Sequence, residues 1–127
     1  MVNQILVAST TVAMSEGLLY AARAGLDLET VLSSVGSGAA GSWTINNLAP
    51  RVLRGDFAPG FFVDHFIKDL AIAVEETDRM GISLPGLENA RALYLALKAQ
   101  GHGQNGTQAL ILALCELSGL TWPPEPA

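Results

Sequence analysis

With 127 residues the chain has room for one compact domain around one core. Half of its residues are hydrophobic and 15% are charged, an apolar balance for a protein whose surface should stay large at this size. Seven Lys and Arg against twelve Asp and Glu give a net charge of −5, and the cations lie scattered from Arg23 to Lys98 without a basic stripe, so nucleic acid is excluded as an expected partner.

The spacing of apolar residues is helical almost throughout, and the β-branched alternation of a half-buried strand is absent. A first helix is expected from about Val2 to Arg23, ending at Gly25. Its apolar residues Ile5, Leu6, Val7, Val12, Met14, Leu18 and Leu19 keep to no single stripe, so the helix should be central and buried on most sides. Glu16 is then best read as a carboxylate paired inside the fold. Ser9, Thr10, Thr11, Ser15, Glu16 and Gly17 interrupt this segment, so it falls short of the roughly 18–20 uninterrupted apolar residues of a membrane span. With no basic flank or small-residue cleavage site, neither a signal peptide nor a membrane is expected.

A short second helix follows, capped by Asp27 and turning Val31, Leu32 and Val35 inward. Gly36 to Ser42 is a glycine-rich loop, but a helix and not a strand precedes it, so close packing suits it better than phosphate binding. Trp43 to Leu53 reads as a third helix interrupted by Pro50, and Arg54 to Gly60 as a loop. From about Phe62 to Met80 a fourth helix has an apolar face of Phe66, Leu70, Ile72, Ala73 and Val74 and a wet one of Glu75, Glu76, Asp78 and Arg79. Pro85 opens a fifth helix. Gly101 to Gly106 breaks the chain, a sixth helix spans about Thr107 to Leu117, and Trp122 to Pro126 cannot be helical.

Side-chain chemistry alone is sparse. Cys115, the only cysteine, sits in an apolar run and reads as a small buried hydrophobe in a reducing, cytoplasmic setting. His65 and His102 lack neighbours at ligand spacing, so no metal site is expected. No nucleophile elbow and no G-x-G-x-x-G after a strand occurs. Asp64 and Lys68, four apart on one helix, suggest an ordinary surface ion pair.

The order of the parts says more. Asn3-Gln4 opens a long apolar helix carrying Met14-Ser15-Glu16-Gly17-Leu18; then come the Gly36–Trp43 loop, Asp56-Phe57-Ala58-Pro59-Gly60-Phe61, Lys68-Asp69-Leu70-Ala71, Leu84-Pro85 and Gly101-His102-Gly103. From Val2 to about Leu120 this series resembles the C-terminal domain of the β-hydroxyacid dehydrogenases, the 3-hydroxyisobutyrate dehydrogenase and tartronate semialdehyde reductase family. The resemblance implies hydride exchange between a small hydroxyacid and NAD or NADP, with a dinucleotide-binding α/β domain as the other half. It implies a general acid–base lysine separated by two residues from the amide pair that Asn3 and Gln4 match, a position immediately before Met1. By the same resemblance Asn3 is catalytic and orients that lysine and the substrate hydroxyl. Gln4 and Phe61 bind substrate, and Lys68 and Asp69 face the cofactor. At Gly106 the family usually has an aspartate, whose loss should cost a cap of about 0.5 kcal/mol.

These readings combine into an all-α bundle of about six helices around a long first helix, like the C-terminal domain of 6-phosphogluconate dehydrogenase. It should span residues 1–120, with a proline-rich tail over 121–127, and it should pair with a second copy. Two functions stay open. The chain is either the substrate-binding and dimerisation half of an NAD(P)-dependent dehydrogenase, inactive without the dinucleotide-binding domain and holding no cofactor tightly by itself, or a freestanding helical interaction module descended from one.

Overall fold

A computed structural model describes residues 1–124. Among them are seven α-helices: α1 (Val2–Arg23), α2 (Leu28–Val35), α3 (Trp43–Asn47), α4 (Ala49–Leu53), α5 (Val63–Met80), α6 (Pro85–Leu97) and α7 (Ile111–Ser118). A π-helical turn over Lys98–His102 extends α6, and a 3-10 turn over Thr107–Leu110 leads into α7. The described residues contain no sheet, only one isolated antiparallel bridge between Phe62 and Gly106. The expected tail residues Glu125 and Pro126 lie outside the described residues.

The helix ends follow local chemistry. The Asp27 carboxylate accepts from the Thr30 amide at 3.1 Å and starts α2, and the Ser42 hydroxyl accepts from the Ile45 amide at 3.0 Å and starts α3. Gly81 ends α5 with φ 70° and Gly119 ends α7 with φ 66°, left-handed positions that glycine takes without a Cβ penalty. The expected third helix is two. Pro50 stands in the first turn of α4, where its missing N–H costs nothing, so the chain breaks before the proline, at Leu48. The expected sixth helix likewise starts as a 3-10 turn, and Gly101, with φ 96°, breaks α6.

α1 is the central helix, with α2, α3, α5, α6 and α7 all packed on it. One core cluster joins Ala8 and Val12 to Phe66, Leu70, Leu87, Tyr94, Leu97 and Leu110 of the other elements. A second joins Met14 and Leu18 to Ala49, Val52, Ile111 and Cys115. Thr11 and Ser15 are buried on α1 because their hydroxyls donate to the carbonyls of Val7 and Thr11 in their own helix, at 2.7 and 2.8 Å. Tyr94 packs edge-on against Phe66 at 5.0 Å and donates to the Thr107 carbonyl at 2.9 Å, which satisfies the one polar atom on a fully enclosed ring. Burial pushes its phenol well above the usual tyrosine range.

By length and composition α1 is also apolar enough to cross a membrane; in this fold it is the helix that the others pack around. Its outer stripe of Val2, Leu6, Ala13, Gly17 and Tyr20 remains exposed. Glu16 falls beside that stripe and is exposed, not paired inside the fold as its sequence setting implies. The tail returns to the bundle: Trp122 packs on the second cluster and its indole N–H donates to the Val52 carbonyl at 2.8 Å.

A candidate active-site concavity at the start of the first helix

The first turn of α1 and the second turn of α5 are tied by a short relay of amides. Asn3 Nδ2 donates to Gln4 Oε1 at 2.7 Å, and Gln4 Nε2 donates to Asp69 Oδ2 at 2.8 Å across 65 residues of sequence. A carboxylate receiving an amide N–H gives a strong, directional bond, so Gln4 is held in one orientation. Asn3 keeps its Oδ1 and one N–H without partners among the described residues, on an exposed side chain.

Beside this relay lies a concavity of about 280 Å³. Asn3, Gln4 and Phe61 line it, together with Trp43, Arg51 and Gln108. Phe61 is half-exposed at 42% and stands edge-on to Phe66 at 5.9 Å and to His65 at 6.3 Å. Its wall depends on the loop before it. Gln108, fully buried, donates to the carbonyls of Asp56 at 3.2 Å and Ala58 at 2.9 Å. The amide of Gly106 donates to the Phe57 carbonyl at 2.8 Å, and that of Thr107 to the Phe61 carbonyl at 3.0 Å. Arg51 completes the clamp, with Nε 3.1 Å from Asp56 Oδ2 and Nη2 2.6 Å from the Ala58 carbonyl. The Arg51 guanidinium and the Ala58 amide hold the Asp56 carboxyl below the usual carboxylate range.

Gly106 is tight rather than merely uncapped. A Cβ there would stand 2.8 Å from the Ala58 carbonyl and 2.9 Å from the Gln108 side-chain carbon, so any side chain would push the loop off its clamp.

The five residues singled out from the sequence divide three ways. Asn3, Gln4 and Phe61 share the concavity. Asp69 does not line it but reaches it through Gln4. Lys68 is exposed, is absent from the lining, and has no ion pair among the described residues. The expected pairing of Lys68 with Asp64 does not form: Asp64 instead meets Lys98 at 3.2 Å and accepts from Gln104 at 2.9 Å. The loop after α6 comes up against the start of α5, where the Asp64 amide donates to the Gly103 carbonyl at 2.9 Å. Trp43, Arg51 and Gln108 were not singled out from the sequence. Gln108 had a signal, as the one amide in an apolar run; Trp43 and Arg51 had none, because their approach to α1 is purely tertiary.

Residues 1–114 match the family model described as "NAD-binding of NADP-dependent 3-hydroxyisobutyrate dehydrogenase". The chain belongs to this family. Among its relatives, the probable 3-hydroxyisobutyrate dehydrogenase-like 1, mitochondrial, of Arabidopsis thaliana is 52% identical over 119 residues, which are 94% of this chain and 36% of that protein. An uncharacterised oxidoreductase of Bacillus subtilis is 51% identical over 110 residues, 87% of this chain and 38% of that one. The crystal structure of 3-hydroxyisobutyrate dehydrogenase from Salmonella typhimurium superposes with a TM-score of 0.83 at 29% identity, over 87% of this chain and 39% of that one. The chain therefore spans well under half the length of the family proteins it matches, and its helical bundle is the fold of the matching part of the Salmonella dehydrogenase.

Proposed function

We propose that this chain is the substrate-binding, C-terminal half of an NAD(P)-dependent β-hydroxyacid dehydrogenase of the 3-hydroxyisobutyrate type. The observation that carries this reading is the relay Asn3–Gln4–Asp69 at the edge of a concavity walled by Phe61, in a chain whose family match covers residues 1–114.

The described residues fit one side of a cofactor site and not the whole of it. No strand with a glycine-rich turn is present among them to seat a pyrophosphate at a helix N-terminus. What they offer is Lys68, an ammonium without a carboxylate partner among the described residues, next to Asp69 on α5. The nicotinamide, when bound, supplies the hydride acceptor for the hydroxyacid and the donor for the reverse reaction. Asn3, with Oδ1 free, accepts a hydrogen bond from the substrate hydroxyl and fixes its orientation. Gln4 cannot rotate away, because Asp69 holds its amide nitrogen. Phe61 excludes water from one wall, which strengthens every polar contact inside. Lys68, exposed beside Asp69 on α5, would hold the nicotinamide end of the cofactor.

Self-association belongs to the same reading. The exposed stripe of α1 runs along an apolar groove of about 290 Å³ between α1 and α2, walled by Leu18, Val31 and Val35. A contiguous apolar surface of this kind on a small protein favours a covered state. The chain alone is expected to give no absorbance change at the reduced-nicotinamide band with 3-hydroxyisobutyrate or glycerate, since it offers one side of the site. A rate that follows the 127-residue chain through purification would contradict the assignment of this chain as half of a site.

A further inference from the structure

α4 is short for what it carries. It has five residues, well under the roughly 12–15 at which a helix starts to hold by itself. Yet Leu48 before it and Arg51 within it line the concavity, and the Asp56–Gly60 loop after it leads into the Phe61 wall. Its C-terminal end is held from residues 120–124. The carbonyl of Val52, a fully buried residue, accepts from the Gly55 amide at 3.0 Å and from the Trp122 indole N–H at 2.8 Å. A carbonyl has two lone pairs: one here closes the turn into the loop, and the other is taken by a side chain 70 positions away. Beside it the Pro123 ring covers Gly55, where a Cβ would stand 3.4 Å from Pro123 Cγ and φ is 70°. The strap that delivers both rings is itself aimed. Gly119, left-handed, turns the chain out of α7, and the Leu120 amide donates to the Cys115 carbonyl at 2.9 Å. Leu120 and Trp122 then pack on the cluster of Met14, Val52 and Ile111. Trp122 does not line the concavity, so any effect it has there passes through α4.

We propose that Trp122 is a positioning residue: through the Val52 carbonyl it fixes the end of α4, and so the direction in which the Asp56–Gly60 loop leaves to build one wall of the site. That the site serves a hydroxyacid rests on the dehydrogenase reading above; that the strap holds the wall does not. Without the indole N–H, a buried carbonyl loses one of its two donors and the turn at Gly55 is held on one side only. Arg51 stands before that turn and its anchors, Asp56 and Ala58, stand after it, so a looser turn loosens the clamp between them. The wall then opens locally while the rest of the bundle stays packed.

The test is native-state hydrogen exchange on the 127-residue chain and on Trp122→Phe, which keeps an aromatic ring and removes the N–H donor. The Asp56 amide, bonded to the Arg51 carbonyl at 2.9 Å, and the Gly106 amide, bonded to the Phe57 carbonyl at 2.8 Å, report on the wall. The amides of Leu70 and Tyr94, in the middle of α5 and α6, report on the bundle. In Trp122→Phe the wall amides should exchange at least about tenfold faster, with the bundle amides within about threefold of the unaltered chain. Equal acceleration of all four, or none at the wall, would overturn the proposal. On the unaltered chain the Trp122 indole proton should exchange at least about tenfold more slowly than that of the exposed Trp43. Equal rates for the two indoles would overturn it even if Trp122→Phe fails to fold. In an enzyme that carries this segment behind a dinucleotide-binding domain, Trp122→Phe should raise KM for 3-hydroxyisobutyrate at least about threefold with kcat within about twofold. An unchanged KM would remove the role of Trp122 in the site. No rate even with Trp122 in place would strike the dehydrogenase reading instead, and hydrogen exchange on the chain alone would still decide whether the strap holds the wall.

Discussion

Lys68 and Asp69 are neighbours in sequence with different surroundings. Asp69 is half-buried and spends a carboxylate oxygen on Gln4, whereas Lys68 projects from the exposed side of α5. A cation without a partner contributes little to stability, so Lys68→Ala should move the unfolding free energy by no more than a few tenths of a kcal/mol. Under the proposed reading its effect belongs to catalysis. In an enzyme that carries this segment behind a dinucleotide-binding domain, Lys68→Ala should lower kcat/KM at least about tenfold, about 1.4 kcal/mol of transition-state stabilisation. Steady-state rates on 3-hydroxyisobutyrate check this, and an unchanged kcat/KM would make Lys68 a solvated surface charge. At this scale the sequence was uneven as a guide. The order of short motifs singled out Asn3, Gln4 and Phe61, which share one concavity. The i, i+4 spacing of Asp64 and Lys68 misled, because spacing permits a pair and tertiary competition decides it, here in favour of Lys98. Arg51 was illegible for a related reason: its partners, Asp56 and Ala58, become a clamp only once the loop has folded back.

Among the elements, the segment from Gly106 to Leu110 has the largest consequence for the site. It bridges α5 through the Phe62–Gly106 pairing, caps Tyr94 with the Thr107 carbonyl, and holds the Asp56–Ala58 loop through Gln108. Gln108→Ala would strip the donor from two carbonyls and leave a void in a fully buried position. A loss of about 1–3 kcal/mol is expected, at the cost typical of buried acceptors left unpaired, and thermal or denaturant unfolding measures it. A change under about 0.5 kcal/mol would mean that water replaces the amide and that the loop does not depend on it. Helix ends written in local chemistry, such as Asp27 and Gly81, were legible. The split at Leu48 was legible only as an interruption, since Pro50 marks a break without fixing its side. The close approach at Gly106 could not be read at all, because it comes from Ala58, 48 positions away in the chain and adjacent only in space.

At the scale of the whole molecule, the apolar composition and the lack of strand alternation pointed to an all-helical bundle around the first helix, which is the observed architecture. The outward face of α1 was harder to read, since Leu6 and Tyr20 look like core in sequence and are 62% and 76% exposed. That surface underlies the expectation of a dimer or larger assembly. Light scattering at micromolar protein should give at least twice the 13.3 kDa of one chain, and a monomer mass there would contradict it. The central claim is that this bundle completes a dehydrogenase site. It is tested most directly by exchanging the matching segment of the Arabidopsis relative, 52% identical over 119 residues, for this chain and measuring NAD(P)-linked oxidation of 3-hydroxyisobutyrate. The account predicts turnover within about tenfold of the parent enzyme, a difference of about 1.4 kcal/mol in the barrier. A folded, cofactor-binding exchange enzyme with no rate, beside an active parent, would contradict it.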